Sequence, residues 1–255
     1  MLLRDNLYYS NEHGELYNAD CLTLLPFMRD GSADTIFADP PFNLGKIYSG
    51  SKRDDKKNQE YIDWCRDWIV ECIRILKPGG ALFIYNLPKW NIPIANILID
   101  RGLNFRHWIS IDFKALPPIP GKLYPAHYSL LYFTKGKPQY FNRPKISMQI
   151  CRHCGKEIKD YGGYRKHMPD DGVNLSDIWT DISPIRHKKH KNHAFNELNP
   201  KILERILQIS TEPGDVILDP FGGSGTTFHV AEKMHRRWIG IEVGDCEVIK
   251  NRLER

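Results

Sequence analysis

Two short polar turns, each directly after an apolar run, carry the residues of this chain that are best suited to chemistry. Asp39–Phe42 (DPPF) follows the run Thr35–Ala38, and Asp219–Thr227 (DPFGGSGTT) follows Val216–Leu218. A carboxylate beside a proline carbonyl can accept the N–H groups of an amine on a flat ring, and glycines let a backbone close around a nucleotide-like cofactor. Together the turns predict methylation of an amino group on a nucleic-acid base.

The first turn suits an exocyclic amine of adenine or cytosine, which is a poor nucleophile because its lone pair is delocalised into the ring. Carboxylate and carbonyl acceptors for its two N–H groups would draw the nitrogen toward a tetrahedral, more nucleophilic geometry. Prolines stiffen such a turn, and an aromatic ring can stack on a flipped-out base. The alternative is an ordinary loop, because Asp-Pro commonly starts one. The predicted catalytic residues are Asp39, Pro40, Pro41 and Phe42.

The second turn suits a cofactor that contains a ribose. Its glycines, Gly222, Gly223 and Gly225, permit close approach of the backbone to a ligand. A helix predicted from Ser224 points its free N–H groups at the same place. Glu242 ends the next strand about 20 residues later, where an acid can bind ribose hydroxyls. The alternatives are a plain tight turn for the glycines and an exposed strand end for the acid.

Alternating strands and helices must position these turns. Apolar runs predict seven strands, at Glu15–Ala19, Thr35–Asp39, Ala81–Asn86, Phe105–Phe113, Ser129–Thr134, Asp215–Asp219 and Arg237–Val243. Helical spacing and capping residues predict helices at Glu60–Leu76, Pro88–Arg101, Lys201–Ser210, Ser224–Met234 and Asp245–Leu253. This alternation favours an α/β fold with a mostly parallel sheet and helices on both faces.

Two segments break this alternation. Leu44–Gln59 is polar and charged, which predicts a functional or mobile loop directly after the first turn. Lys137–Leu198 lacks clear periodicity and predicts a small inserted lobe. From Arg143 to Lys191 there are 11 Lys/Arg and 6 Asp/Glu, so this stretch alone accounts for the net charge of +5. A localised basic surface suits a polyanion, and the alternative is a solvated face.

The inserted segment also contains half of a zinc-site pattern. Cys151-x-x-Cys154 followed by glycine can form the tight knuckle that holds a metal, and His167 lies thirteen residues farther on. Further candidate ligands are His187, His190 and His193. We predict structural zinc on Cys151, Cys154 and His167. The alternatives are reduced surface thiols and solvated histidines.

At these residues the chain resembles the amino-group DNA methyltransferases that use S-adenosylmethionine. Asp39–Phe42 is similar to their Asp-Pro-Pro-aromatic catalytic motif, and Asp219–Thr227 to their cofactor motif. The order, catalytic motif first, matches the permuted β group. Asn18–Leu22 resembles the segment whose acid meets the cofactor adenine. Two departures are Phe42, where tyrosine is usual, and Asn196–Lys201, which replaces a His-Pro-Thr-x-Lys-Pro segment.

The resemblance implies a seven-stranded class I methyltransferase fold and S-adenosylmethionine as the cofactor. It implies a catalytic domain at residues 1–136 and 199–255 and an inserted target-recognition region at 137–198. The cofactor-binding residues expected from the two arguments together are Asp20, Cys21, Asp39, Asp219, Phe221, Gly222, Gly223, Ser224, Gly225, Thr226 and Glu242.

The predicted function is site-specific methylation of adenine N6 in double-stranded DNA. Methylation of cytosine N4 is the alternative within the family, although a serine in place of Asp39 is more typical of that subset. Outside the family, the alternatives are a nicotinamide-dependent dehydrogenase and a non-catalytic DNA-binding protein. The resemblance also suggests a cognate restriction endonuclease and a homodimer as partners.

The remaining composition bounds the class of protein. The chain has 255 residues and 41% hydrophobic content, as expected of a globular protein. The residues after Met1 form no apolar leader, and no stretch approaches the ~18 apolar residues of a membrane span. Its six cysteines are expected to be reduced. We therefore expect a cytoplasmic protein without a membrane partner.

Overall fold

The computed structural model describes residues 3–46, 54–112, 120–121, 123, 125–148, 150–151, 153–157, 162–163, 167, 172–182 and 197–255. Within this part of the chain, one large sheet has the strand order β1-β2-β11-β10-β3-β4-β6-β5-β9, and β7 and β8 form a separate pair. The strands are β1 Leu7–Ser10, β2 Gly14–Asn18, β3 Ala33–Ala38, β4 Leu76–Asn86, β5 Asn104–Asp112, β6 His127–Thr134, β7 Lys145–Ile146, β8 Val173–Asn174, β9 Ile178–Trp179, β10 Val216–Asp219 and β11 Arg237–Glu242.

The centre of the large sheet is parallel. The pairs β2–β11, β11–β10, β10–β3 and β3–β4 all run parallel, whereas β4–β6 and β6–β5 are antiparallel. Strand β3 is buried along its whole length, as expected for a strand covered on both faces. The predicted mostly parallel α/β architecture is therefore confirmed.

Helices cover both faces of the sheet. They are α1 Cys21–Leu24, α2 Asn58–Ile75, α3 Pro88–Asp100, α4 Pro200–Ser210, α5 Thr226–Lys233 and α6 Glu247–Leu253. One hydrophobic cluster joins α2 and α3 to the sheet, and a second joins α4, α5 and α6 to it. In α2 the apolar residues recur at helical spacing, so that one face is buried. No helix in the described ranges has the length and apolar character that a bilayer crossing requires.

All seven predicted strands and all five predicted helices are present, with shifted ends. The sheet has nine strands, because β1 and β9 extend it at its two edges. Both are too short for alternation of apolar residues to reveal them. The segment Lys77–Gly80, which contains a proline and two glycines just after α2, belongs to an irregular start of β4. Within the predicted insertion, β9 pairs with β5, and Trp179 is buried against the main sheet.

Candidate active site

The sheet places the two polar turns side by side. Strands β3 and β10 are hydrogen-bonded neighbours, with Thr35 opposite Ile217 and Ile36 opposite Leu218. Because both strands run in the same direction, Asp39–Phe42 and Asp219–Thr227 leave the same edge of the sheet. The carboxyl ends of β2, β11 and β4 lie at this edge as well. Ligands of parallel α/β sheets bind outside the carboxyl ends of the strands.

The turn after β10 is organised by its own acid. Asp219 is 2% exposed, and its carboxylate accepts hydrogen bonds from the Phe221 N–H at 2.9 Å and the Thr227 hydroxyl at 2.6 Å. Burial raises the pKa of Asp219 to about 7, and these two hydrogen bonds oppose the rise. Phe221 packs edge-on against Trp68, with ring centroids 5.2 Å apart. The Asp219 side chain therefore shapes the turn from within.

Glu242, at the end of β11, closes the same turn from the neighbouring strand. Its carboxylate accepts from the Gly223 N–H and the Gly244 N–H, each at 2.6 Å. Burial raises the pKa of Glu242, and the two amide hydrogen bonds oppose the rise. Each carboxylate oxygen retains lone pairs for further donors such as ribose hydroxyls.

The glycines of this turn meet specific constraints. Gly225 has φ of 76° and precedes α5, and an added Cβ there would lie 2.8 Å from the Ile249 side chain. Gly223 has φ of 54°, but an added Cβ there would approach nothing closer than the Phe221 carbonyl at 3.8 Å. One glycine therefore permits close packing, and the other leaves backbone open to the cleft. Open backbone, a helix start and an acid together fit the nucleoside part of S-adenosylmethionine.

Two expected cofactor residues lie at the end of β2. Asp20 is exposed and caps α1 by accepting the Leu22 N–H at 2.9 Å. The Ala19 N–H donates to the Glu242 carbonyl at 3.1 Å, which joins this strand end to β11. Cys21 is 5% exposed and packs in the hydrophobic core, and burial raises the pKa of its thiol. Cys21 therefore presents an uncharged side chain beneath the cleft. Assignment of these residues to the cofactor stays a prediction.

The turn after β3 is held by side chains from the helices behind it. The Tyr61 hydroxyl donates to the Pro41 carbonyl at 2.6 Å, and Trp90 Nε1 donates to the Phe42 carbonyl at 2.8 Å. Asn86, at the end of β4, donates to the Tyr61 hydroxyl at 2.9 Å. Sequence patterns alone did not identify these three supports, because they lie 20 to 48 residues from the carbonyls they serve.

Two other acceptors of this turn lack such a donor among the described residues. In the described part of the chain, no hydrogen-bond donor reaches the Asp39 carboxylate or the Pro40 carbonyl. Burial raises the pKa of Asp39 to about 8, the negative charge of Asp219 adds to the rise, and Lys46 opposes it. The turn thus holds adjacent acceptors and a carboxylate that is unusually basic.

Aromatic rings form one wall beside these acceptors. The Phe42 ring lies 5.9 Å from Tyr85 and 5.5 Å from Tyr128, and the two tyrosine rings are 5.1 Å apart. Burial raises the pKa of both tyrosines, and the negative charge of Asp39 adds to the rise. These tyrosines were not predicted as site residues. The only available signal was their position at adjoining ends of β4 and β6.

The loop after the turn is closed at its base. The Gly45 N–H donates to the Asp54 carbonyl and the Asp54 N–H to the Lys46 carbonyl, both at 3.0 Å. Residues 47–53 of this predicted loop lie outside the described residues. The basic segment Arg186–Lys191 lies outside them as well, within residues 183–196. Arg165 and Lys166 are also outside the described residues.

The zinc prediction is not supported. Among the described residues, which include Cys151, Cys154 and His167, no group of three or more His, Cys, Asp or Glu side chains could hold a metal. The two cysteines do lie on a tight hairpin, where the Gly155 N–H donates to the Cys151 carbonyl at 2.8 Å. Within the described residues, this knuckle therefore provides only half of a tetrahedral site. His187, His190 and His193 lie outside the described residues.

Comparison with known proteins gives a consistent result. The sequence profile of the DNA methylase family of N6/N4 methyltransferases matches residues 33–251. The chain is 56% identical to the type II methyltransferase M.BamHI of Bacillus amyloliquefaciens over 248 residues, which cover 97% of this chain and 58% of M.BamHI. It is 31% identical to DNA adenine methyltransferase YhdJ of Escherichia coli (strain K12), with 97% of this chain and 84% of YhdJ covered. The chain therefore spans little more than half the length of M.BamHI.

Solved structures confirm the class I methyltransferase fold. PvuII DNA methyltransferase, described as cytosine-N4-specific, aligns with a TM-score of 0.71 at 20% identity and covers 97% of this chain and 87% of its own. The complex of M1.HpyAVI with SAM aligns with a TM-score of 0.64 at 20% identity and covers 95% of this chain and 100% of its own. With its motifs, its fold and its profile match in agreement, the chain belongs to the N6/N4 DNA methylase family.

Proposed function

We propose that the protein transfers a methyl group from S-adenosylmethionine to an exocyclic amine of a base in double-stranded DNA. The observation that carries this proposal is the pair of adjacent acceptors, the Asp39 carboxylate and the Pro40 carbonyl, which have no donors among the described residues. They directly follow β3, which is paired with β10, the strand that leads into the glycine turn. An amino group offers two N–H donors and so matches the pair.

The residues of the first turn would prepare the amine for attack. Asp39 and Pro40 each accept one N–H, so the nitrogen lone pair is drawn out of conjugation with the ring. Phe42, supported by Tyr85 and Tyr128, offers a flat surface to a base that has left the duplex. With a pKa raised to about 8, the Asp39 carboxylate is basic enough to receive the proton that the methylated nitrogen loses. Positioning and polarisation supply the rate enhancement.

The second turn would hold the cofactor. When bound, S-adenosylmethionine supplies an electrophilic methyl group on a positively charged sulfur. Glu242 offers carboxylate oxygens to the ribose, and Gly223 leaves its backbone accessible at the cleft. Asp219 and Thr227 keep the turn in shape from inside. The same turn contains the other expected contacts, Phe221, Ser224, Gly225 and Thr226. The proposed cofactor site includes them.

Two exocyclic amines are candidates in this family, adenine N6 and cytosine N4. We keep adenine N6 as the proposed target because aspartate opens the first turn. YhdJ, at 31% identity, is named a DNA adenine methyltransferase, whereas the more similar M.BamHI, at 56% identity, is named only a type II methyltransferase. Cytosine N4 is the second candidate. The PvuII enzyme, described as cytosine-N4-specific, has the same fold, so this architecture accommodates either base.

The partners follow from the same proposal. Residues 137–198 would contact DNA as the target-recognition region, since their basic segments suit phosphate. A cognate restriction endonuclease follows from relatives named type II methyltransferases, of which M.BamHI is one. Assembly as a homodimer and a cytoplasmic location remain predictions.

Nucleoside analysis after methylation tests the proposal directly. The purified protein is incubated with unmethylated plasmid DNA and S-adenosylmethionine carrying a tritiated methyl group, and the DNA is then digested to nucleosides for mass spectrometry. We expect N6-methyladenine, or N4-methylcytosine for the second candidate. Absence of label, or a methyl group on a ring carbon, contradicts the proposal. A thermal shift with S-adenosylhomocysteine but not with NAD separates it from the dehydrogenase alternative.

A further inference from the structure

The backbone of the first turn cannot be fixed by a ladder of backbone hydrogen bonds. Proline at positions 40 and 41 removes two N–H donors from four residues, so the turn depends on donors from elsewhere. Those donors are side chains on two different helices, Tyr61 on α2 and Trp90 on α3. Both are almost fully buried, at 2% and 5% exposure. The orientation of the turn is therefore set by the core behind it.

The direction of each hydrogen bond in this support can be assigned. The Leu87 N–H donates to Asn86 Oδ1 at 2.7 Å, so the amide nitrogen of Asn86 must be the group that faces Tyr61. That nitrogen donates to the Tyr61 hydroxyl oxygen, which directs the hydroxyl proton to the Pro41 carbonyl. The Trp90 ring nitrogen is a donor only, so its bond to the Phe42 carbonyl has one possible direction.

These hydrogen bonds decide which carbonyls of the turn are left to accept a hydrogen bond from a substrate. The carbonyls of Pro41 and Phe42 are occupied by donors from behind, whereas no donor in the described ranges reaches the carbonyl of Pro40. A small rotation of the turn would exchange these roles, because all three carbonyls lie in consecutive peptide groups. Tyr61 and Trp90 oppose such a rotation, since it would leave buried polar groups unpaired.

We propose that Tyr61, oriented by Asn86, and Trp90 are positioning residues that hold the Pro40 carbonyl and the Asp39 carboxylate in register as the two acceptors of the target amine. This inference rests on the proposed methyl transfer and adds to it the residues that set its geometry. They act through the turn and touch neither base nor cofactor. Their loss is therefore expected to lower the rate of transfer and to leave affinities intact.

Conservative variants test this inference. Tyr61→Phe removes the hydroxyl alone, and Trp90→Phe removes the ring N–H in an independent variant. The matched control is Tyr132→Phe, because Tyr132 is equally buried, belongs to the other hydrophobic cluster, and has a hydroxyl with no partner among the described residues. Single-turnover methyl transfer is measured at saturating DNA and cofactor, together with dissociation constants for DNA and S-adenosylhomocysteine.

We expect Tyr61→Phe and Trp90→Phe to lower the single-turnover rate roughly ten- to a hundredfold, with both dissociation constants within about twofold of wild type. Tyr132→Phe should retain the wild-type rate. Rates within about twofold of wild type in both test variants overturn the inference, and so does a parallel loss of rate and affinity. A wild-type protein that transfers no methyl group at all overturns the proposed function instead, and the inference with it.

Discussion

In the proposed function, Asp39–Phe42 is the catalytic turn and Asp219–Thr227 is the cofactor turn, and the two differ in how their polar groups are paired. In the cofactor turn, polar groups satisfy one another: Asp219 accepts from Phe221 and Thr227, and Glu242 accepts from Gly223 and Gly244. In the catalytic turn, the Asp39 carboxylate and the Pro40 carbonyl find no donor within the described residues, and support comes from helices behind. The cofactor turn is satisfied by its own residues and by Glu242 of the next strand, whereas in the proposed function the acceptors of the catalytic turn are satisfied by the target amine.

Under the proposed function, this difference assigns cofactor binding to one turn and methyl transfer to the other. A self-satisfied turn is rigid before the cofactor arrives, so binding does not have to order it. Burial of the Asp39 carboxylate makes its ionised form costly, as the raised pKa shows, and the surrounding structure fixes the group in place. The unmet hydrogen-bonding capacity of the two acceptors is then available to polarise the amine. Substitutions in either turn test this comparison.

The largest effect is expected from Asp39→Ala, which removes one of the two acceptors. Loss of a preorganised polar group at a reacting centre costs roughly a hundred- to a thousandfold in rate. Affinity for S-adenosylhomocysteine should stay within about twofold, because the cofactor turn keeps its own hydrogen bonds. Methyl-transfer kinetics and calorimetric binding measure the two quantities. Equal loss of both would show that the turns do not divide the work in this way.

Gly225→Ala alters the cofactor turn. The added Cβ would meet the Ile249 side chain at 2.8 Å in a backbone with φ of 76°. Strain of this kind costs about 1–3 kcal/mol, so we expect weaker cofactor binding, on the order of tenfold, and a lower melting temperature. The control is Gly214→Ala, whose φ of 90° carries similar backbone strain but whose Cβ would meet nothing within 4 Å. Equal cofactor affinities in the two variants would contradict the packing argument.

Asp39→Asn probes the stability cost of the catalytic turn through pH. The pKa of Asp39 is raised from 3.8 to about 8 in the folded protein. Between these values the folded chain keeps a proton that the unfolded chain has lost, so this group lowers the free energy of unfolding as pH rises. The variant should therefore gain stability over wild type as pH rises through this window. Each 1 kcal/mol corresponds to about 2–4 °C in melting temperature. A stability difference independent of pH would contradict the raised pKa.

The smallest effect concerns the charge of the cofactor. S-adenosylmethionine is positively charged at sulfur and S-adenosylhomocysteine is neutral, so only the former favours ionised Asp39. The affinity ratio of the two should rise as pH approaches about 8 and then level off. Lowering the pKa by one unit on binding corresponds to about a tenfold gain in affinity. Titrations across pH measure the ratio, and in Asp39→Asn the part of the rise that follows ionisation of Asp39 near pH 8 should be absent.

The sequence predicted the main elements of the fold because their signals are local. Apolar runs such as Thr35–Ala38 and the helical spacing of α2 depend on neighbours a few residues away. The strand order is not local, since β11 lies between β2 and β10. Edge strands β1 and β9 are short and gain their structure from pairing, so composition did not reveal them.

The site divides in the same way. The two motifs are contiguous, so Asp39–Phe42 and Asp219–Thr227 could be found directly. Their supports are scattered: Tyr61 and Trp90 reach the first turn from separate helices, and Tyr128 reaches it from an antiparallel strand. The zinc prediction on Cys151, Cys154 and His167 failed to gain support because spacing alone does not bring ligands together.

The place of β11 has a consequence for biosynthesis. This strand is the last in chain order, yet it inserts between β2 from the start of the chain and β10. Until residue 242 has emerged from the ribosome, the sheet lacks the strand that joins β2 to β10, and Glu242 is missing from the proposed cofactor site. A nascent chain therefore cannot complete the proposed cofactor site before this residue is available. Folding of this sheet must finish late, through contacts between distant parts of the chain, which are slow to form.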